Sequence, residues 1–278
     1  MGMSGALLRP KANGSHPEAL AWRDAVVANS GTVSASTLAA VTTFCRAIDS
    51  AGLRDRFYRL SLMAGDGLLA ALVPLYRGPS RTGTQYGNTA DTNVNFVSGD
   101  YTLASGLTGN GSNKYLQTGV SSSAWITGGN VQSHLAVYKR TSVNSGVLLS
   151  ARSGALGNTW EFGAGGNFAG GTTGSFAPPS PHNSFLGVTR ISATAIVAFR
   201  TTVLSAENTV SGTVTGTSIP FAVFARNDQA TDINAYSTAL FSNQTLAAYS
   251  IGAGLSVAQI ALYDAAMQAF QTALGRNV

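Results

Sequence analysis

Residues 57–65, FYRLSLMAG, mark the point at which the chain changes its period. Leu60, Leu62 and Ala64 alternate with Arg59, Ser61 and Met63, the two-residue repeat of a strand with one apolar face. Upstream the apolar residues recur at helical spacing. Pro17 stands at a first helical position before EALAWRDAVVAN, in which Trp22 and Val26, and Leu20 and Val27, share faces. Asn29-Ser30-Gly31 stops that helix. Ser34 or Ser36 caps a second one, which runs to about Ser50 and closes at Ala51-Gly52. Two short helices with a short connection predict an αα-hairpin.

Downstream the strand period dominates. The segment LLAALVPLY (68–76) suits either a buried strand or a short helix, and residues 78–113 read as a long polar surface loop. Then come KYLQTG, SHLAVYKR, GVLLSAR, NTWEFGA, SFLGVTRI, TAIVAFRTTVL, PFAVFARN, AYSTALF and AAYSIG, separated by Gly, Asn, Pro and Ser turns. Many short strands at such spacing predict a sandwich or barrel. The chain closes on a helix over 256–275. Ser256 and Gln259 form a capping box, and Ile260, Tyr263, Met267, Phe270 and Leu274 make an apolar stripe that reads as a core face. The reading is therefore a mostly β jelly-roll β-sandwich over 57–278, with an N-terminal helical hairpin over 1–56 and a C-terminal amphipathic helix.

Composition narrows the class. Only 10% of the 278 residues are charged, against about a quarter in an average globular protein. Gly, Ser, Thr, Asn and Ala take their place. Residues 1–81 hold nine Lys/Arg and five Asp/Glu, and six arginines fall between Arg46 and Arg81. Such a stretch suits nucleic acid, anionic polysaccharide or an acidic partner; an ordinary solvated face is the plain alternative. No nucleic-acid motif accompanies it. The single cysteine, Cys45, excludes an intrachain disulfide and reads as a buried thiol. No run reaches the ~18 apolar residues of a membrane span. MGMSGALLRPK lacks a signal-peptide pattern, which predicts synthesis in a cytoplasm without export by the Sec route.

Residues 107–119, LTGNGSNKYLQTG, and 219–263, from IPFAVFARN to AAYSIGAGLSVAQIALY, resemble the opening and the ending of laminin-G-like modules of the concanavalin A-like lectin/glucanase superfamily. The likeness covers roughly 100–265. With its helical preamble the chain also resembles proteins of bacteriophage and prophage genomes, where such modules serve as tail, capsid-decorating or adhesion components. The resemblance implies a virion location, a homo-oligomer and partners among other virion proteins; the helical period of 1–56 and the arginine-rich stretch that begins there predict that this region docks the sandwich onto the assembly. The resemblance adds cell-surface polysaccharide as a further partner.

The glucanases of that superfamily need Glu-x-Asp-x-x-Glu, which places three carboxylates on one strand face. Glu18, Glu161 and Glu207 are the only glutamates, and none has Asp two residues on. His16, His134 and His182 form no HExxH, and neither a GxSxG elbow nor a Walker loop occurs. The expectation is a non-enzymatic structural or adhesion protein without a cofactor. The alternative is a polysaccharide hydrolase or lyase using Glu161. For glycan, Trp125, Trp160 and Tyr236 offer flat faces and Asn227 offers directional hydrogen bonds. No metal is expected; the laminin-G-like resemblance raises calcium at a sandwich rim, for which Asp91, Asp100, Asp228 and Asp232 are the candidates, Asp228 and Asp232 being the pair able to share one loop.

Overall fold

The structure, a computed structural model, describes residues 14–80, 82–126, 132–142, 145–152, 159–163, 168–170, 183–209, 216–227 and 240–278. It is mostly β. Among the described residues, eight strands form one sheet in the order β12 (Val203–Thr209), β11 (Ala195–Arg200), β10 (Ser184–Arg190), β6 (Ser133–Lys139), β14 (Thr245–Gly252), β4 (Gly106–Thr108), β3 (Tyr101–Thr102), with β1 (Phe57–Ser61) also on β14. Six form the other: β2 (Thr92–Val94), β5 (Tyr115–Ser121), β13 (Pro220–Val223), β7 (Val147–Arg152), β8 (Thr159–Gly163), β9 (Phe168–Gly170). Every described ladder is antiparallel.

Local chemistry sets the helix ends. Helix α1 (Pro17–Ala28) follows His16, whose Nδ1 accepts from the Glu18 amide at 3.3 Å. Helix α2 (Ala35–Ser50) is capped by Ser34, whose Oγ accepts from the Thr37 amide. Both halves of the capping box between Ser256 and Gln259 are formed at α4 (Val257–Ala273). The segment 68–76 resolves into one helical turn, α3 (Leu68–Ala71), after which Tyr76 bridges to Leu60. Residues 78–113 are not the continuous loop that their polarity suggests. They carry β2, β3 and β4, short strands of which β2 pairs with β5, β4 with β14 and β3 with β4, without any long apolar run of their own. Most of AYSTALF lies outside the described residues.

Side chains from both sheets meet in one apolar layer, including Leu135 and Val137 of β6, Leu186 and Val188 of β10, Leu149 of β7 and Phe221 and Val223 of β13. A second layer lies on the other face of the larger sheet. There Ala136, Tyr138, Phe185 and Phe199 meet Trp22, Val26, Phe44 and Ile48 of α1 and α2, and Tyr263, Met267 and Phe270 of α4. The alternation read in FYRLSLMAG holds: Leu60, Leu62 and Ala64 all enter this helix-side layer. The N-terminal helices and α4 thus cover one sheet face together. Trp22 also donates its indole N–H to the Val73 carbonyl at 3.1 Å.

Residue Ala247 falls between the two strands that share the β14 edge, because β4 pairs with Thr245–Leu246 and β1 with Tyr249–Gly252. The buried Arg276 guanidinium takes its carbonyl at 3.0 Å, together with those of Leu62 at 2.6 Å and Met63 at 2.9 Å. Burial without a facing carboxylate lowers this arginine to about 10, still charged at neutral pH.

Two outcomes follow from the helix-side layer. Trp22→Ala and Phe44→Ala should each cost about 3–5 kcal/mol in urea unfolding, and deletion of residues 1–52 should give aggregated or early-melting protein. A soluble deletion product with the parent melting temperature would show that the helices are separable. His134 supplies the second test. Its Nδ1 lies 2.7 Å from the Ala253 carbonyl and its Nε2 3.0 Å from Ser250 Oγ, and burial lowers it from 6.5 to about 4. Between those values the unfolded chain takes up a proton that the native state does not. His134 therefore withdraws stability as pH falls through that window, by about 3 kcal/mol in full. His134→Gln should flatten this part of the profile, and an unaltered slope would contradict a neutral buried imidazole.

Candidate functional site

The site is built from an irregularity in β1. Phe57 pairs with Gly252 and Arg59 with Ile251, so Tyr58 is the extra residue of a β-bulge. A bulge re-aims side chains. Here Phe57 and Leu60 enter the helix-side layer, while Tyr58 and Arg59 both turn toward the other face, where Tyr58 packs on the inter-sheet core.

Arg59 is wholly buried, as is its partner Asp91. Its Nη2 and Nε donate to Asp91 Oδ1 at 2.7 and 3.0 Å, and the Tyr249 hydroxyl donates to the same carboxylate at 2.7–2.8 Å. Burial alone would lower the guanidinium, but the adjoining Asp91 carboxylate and Tyr249 oxygen raise it, and it stays charged. Its remaining donors hold the carbonyls of Asn88 at 3.0 Å and Tyr86 at 3.4 Å. Arg77 takes the Gly87 carbonyl at 2.9 Å. Gly87 has φ +71°, and a Cβ there would strike the Thr118 carbonyl, so the turn requires glycine. The segment from Tyr86 to Asp91 is thereby held to Arg59 and Arg77.

That loop sets Tyr86 beside Tyr58, ring centroids 5.4 Å apart at 60°. Tyr58 stacks on Trp125 at 4.8 Å and 22°, and Trp125 on Phe221 at 6.1 Å and 10°. The series runs from buried Phe221 to Tyr58 and Tyr86, which are partly exposed. Asp55 and Arg56 act electrostatically on the Tyr58 phenol, which burial and the Tyr86 ring raise above its ordinary value. Asn88 bonds Thr92 Oγ1 and the Gln117 carbonyl at the loop's far side.

Of the residues expected from sequence, Trp125 lies within the ring series, and the others do not join it among the described residues. Trp125 is 4% exposed, with its faces turned to Tyr58 and Phe221, so a ligand meets the stack through the tyrosines. Asn227, 1% exposed, donates to the Pro220 carbonyl at 2.7 Å and accepts from the Arg152 amide; it closes a turn. Trp160 lies on β8, but its side chain, like Tyr236, Asp228 and Asp232, lies outside the described residues. Asp91 is held by Arg59, and Asp100 by Lys114 at 2.5–2.6 Å. No group of three His, Cys, Asp or Glu side chains stands close enough for a metal among the described residues. Cys45 is buried, and its thiol is pushed up to about 12 by burial.

Several arginines of the stretch hold neighbouring backbone or carboxylate groups. Arg46 donates to the Gly14 carbonyl, and Arg54 to Glu18 at 2.5 Å and to the Gly78 carbonyl at 2.6 Å while lying over Tyr76. Arg59 and Arg77 hold the loop. Tyr58, Tyr86 and Tyr249 were not singled out by sequence reasoning, although one signal was present: an arginine in a strand whose neighbours are nearly all apolar.

Comparison with known proteins finds no matching family model and no matching curated protein. Among the described residues, no helix is long and apolar enough to cross a membrane.

The buried cluster is testable by itself. Asp91→Ala leaves Arg59 facing an empty site and should cost about 3–5 kcal/mol, whereas Arg59→Met with Asp91→Leu should recover most of that loss. Urea unfolding of the single and double variants measures the difference. A double variant no better than Asp91→Ala would contradict the pairing.

Proposed function

We propose that the chain is a non-catalytic structural and adhesion component of a phage-like virion, whose two sheets form a concanavalin A-like jelly-roll sandwich and whose Tyr58–Tyr86 corner meets cell-surface polysaccharide. One observation carries the binding site: a series of rings leads from the core to two partly exposed tyrosines on a backbone fixed by Arg59. A sugar laid against Tyr58 or Tyr86 continues that series, and Asp55 and Arg56 supply hydrogen-bonding groups at its rim. A site needs an apolar face with a few directional polar groups and little motion on binding, and this corner has both.

The jelly-roll reading is supported by the shared apolar layer and by the terminal helix that follows the last strand. The virion placement is supported by the low charge and by the likeness of residues 107–119 and 219–263 to laminin-G-like modules.

A glycan array of bacterial surface polysaccharides tests the corner. The wild type should retain at least one glycan without releasing products from it. Tyr86→Ala and Tyr58→Ala should each weaken retention about tenfold, equivalent to about 1.4 kcal/mol, with a cooperative unfolding transition retained. Binding indifferent to both substitutions, or no glycan retained at all, would remove the reading.

A further inference from the structure

Helices α2 and α4 run antiparallel, with Phe44 against Phe270 at 5.6 Å, and a groove follows their outer side. It opens as two adjoining clefts of about 350 and 400 Å³ that share Ala47, Ala266 and Ala269. None of the residues lining either cleft is charged. The outward face of α4 carries Val257, Ala258, Ala261, Leu262, Ala265 and Ala269, and the helix's one charged residue, Asp264, is turned inward. A helix that meets water normally places charged and polar residues on its outer face. On this one Leu262 stands 48% exposed at the lip of the groove, and Val257 is equally exposed one turn earlier.

From this arrangement we infer that the α2–α4 face is an interface with a second copy of the chain. A twofold contact brings a surface against its own image, so it must hold both the protrusion and the recess that receives it. This face does: Leu262 is the knob, and the cleft lined by Ala47, Ala51, Ala265 and Ala269 beside it is the hole. The lining of the two clefts meets its image without like-charge repulsion, and exposed Arg46 of α2 is not among the lining residues. The extent also fits. Helices of 16 and 17 residues are about 25 Å long, and two side by side present a footprint of about 500 Å². Two such faces bury about 1,000 Å², at the threshold of about 1,000 Å² for a specific interface and above the ~800 Å² of incidental contacts. The small side chains let the two helix pairs approach closely. The inference does not depend on the glycan reading, because the groove and the Tyr58–Tyr86 corner use different residues.

Sedimentation equilibrium of the full chain, from about 1 to 100 µM, tests this contact. The wild type should be a dimer in the upper part of that range. Leu262→Glu and Ala265→Glu, both at exposed helical positions, should be monomers with unchanged far-UV circular dichroism and melting of comparable cooperativity. Ala265→Cys gives an independent readout: with Leu262 seated between Ala265 and Ala269 of the other copy, the twofold axis passes beside Ala265, and mild oxidation should link two chains through it. A wild type that stays monomeric throughout the range overturns the proposal. So does a dimer that survives both glutamate substitutions, or a wild-type dimer whose Ala265→Cys form never cross-links. Wild-type monomers that associate only with another particle component would assign the face to that component.

Discussion

Strands β6, β10 and β14 are buried at every position, so the middle of the larger sheet has no wet face. Antiparallel sheets more often keep one face in water, and burial on both sides is the usual condition of parallel sheets between helices. This sheet needs a cover on each side. The second sheet supplies one, and helices α1, α2 and α4 supply the other. Helices from the two ends of the chain must therefore converge on one surface, and neither group closes the layer alone.

Such a dry interior makes each buried polar group expensive unless it is fully partnered. The chain meets this with long cations that reach several acceptors. Arg276 serves the gap in the β14 ladder and the end of β1. Arg59 joins Asp91 and Tyr249 to the backbone of the loop after Tyr76. Removing one member of such a set leaves the others buried without their partner. The groups act as unit fasteners between segments distant in sequence, Tyr249 lying 190 residues from Arg59.

The same demand draws several long polar side chains off the surface. Among the described residues, Arg54, Arg59 and Arg77 hold carbonyls and carboxylates. Two surface features stand beside them, a ring series ending in two tyrosines and a charge-free helical groove. Both stand on a rigid base, the first on the Arg59-anchored loop and the second on the Phe44–Phe270 contact.

Much was legible in the residues alone. The change of period at Phe57, the Ser34 and Ser256 caps, the α4 stripe and most of the strand runs rest on interactions among residues close in sequence, and their spacing reports them directly. The alternation in FYRLSLMAG even separated the residues facing the helices from those facing the other way. Spacing alone did not say that both sides of that strand would be buried. Nor could it reveal the bulge at Tyr58, which exists only in register with β14, or the strands within 78–113, of which β2 and β4 pair with strands from elsewhere. An arginine reads the same whether it points to water or to an aspartate 32 residues away. Composition and local pattern determined the elements and their apolar faces; long-range packing decided which polar groups were buried together and which faces were left open.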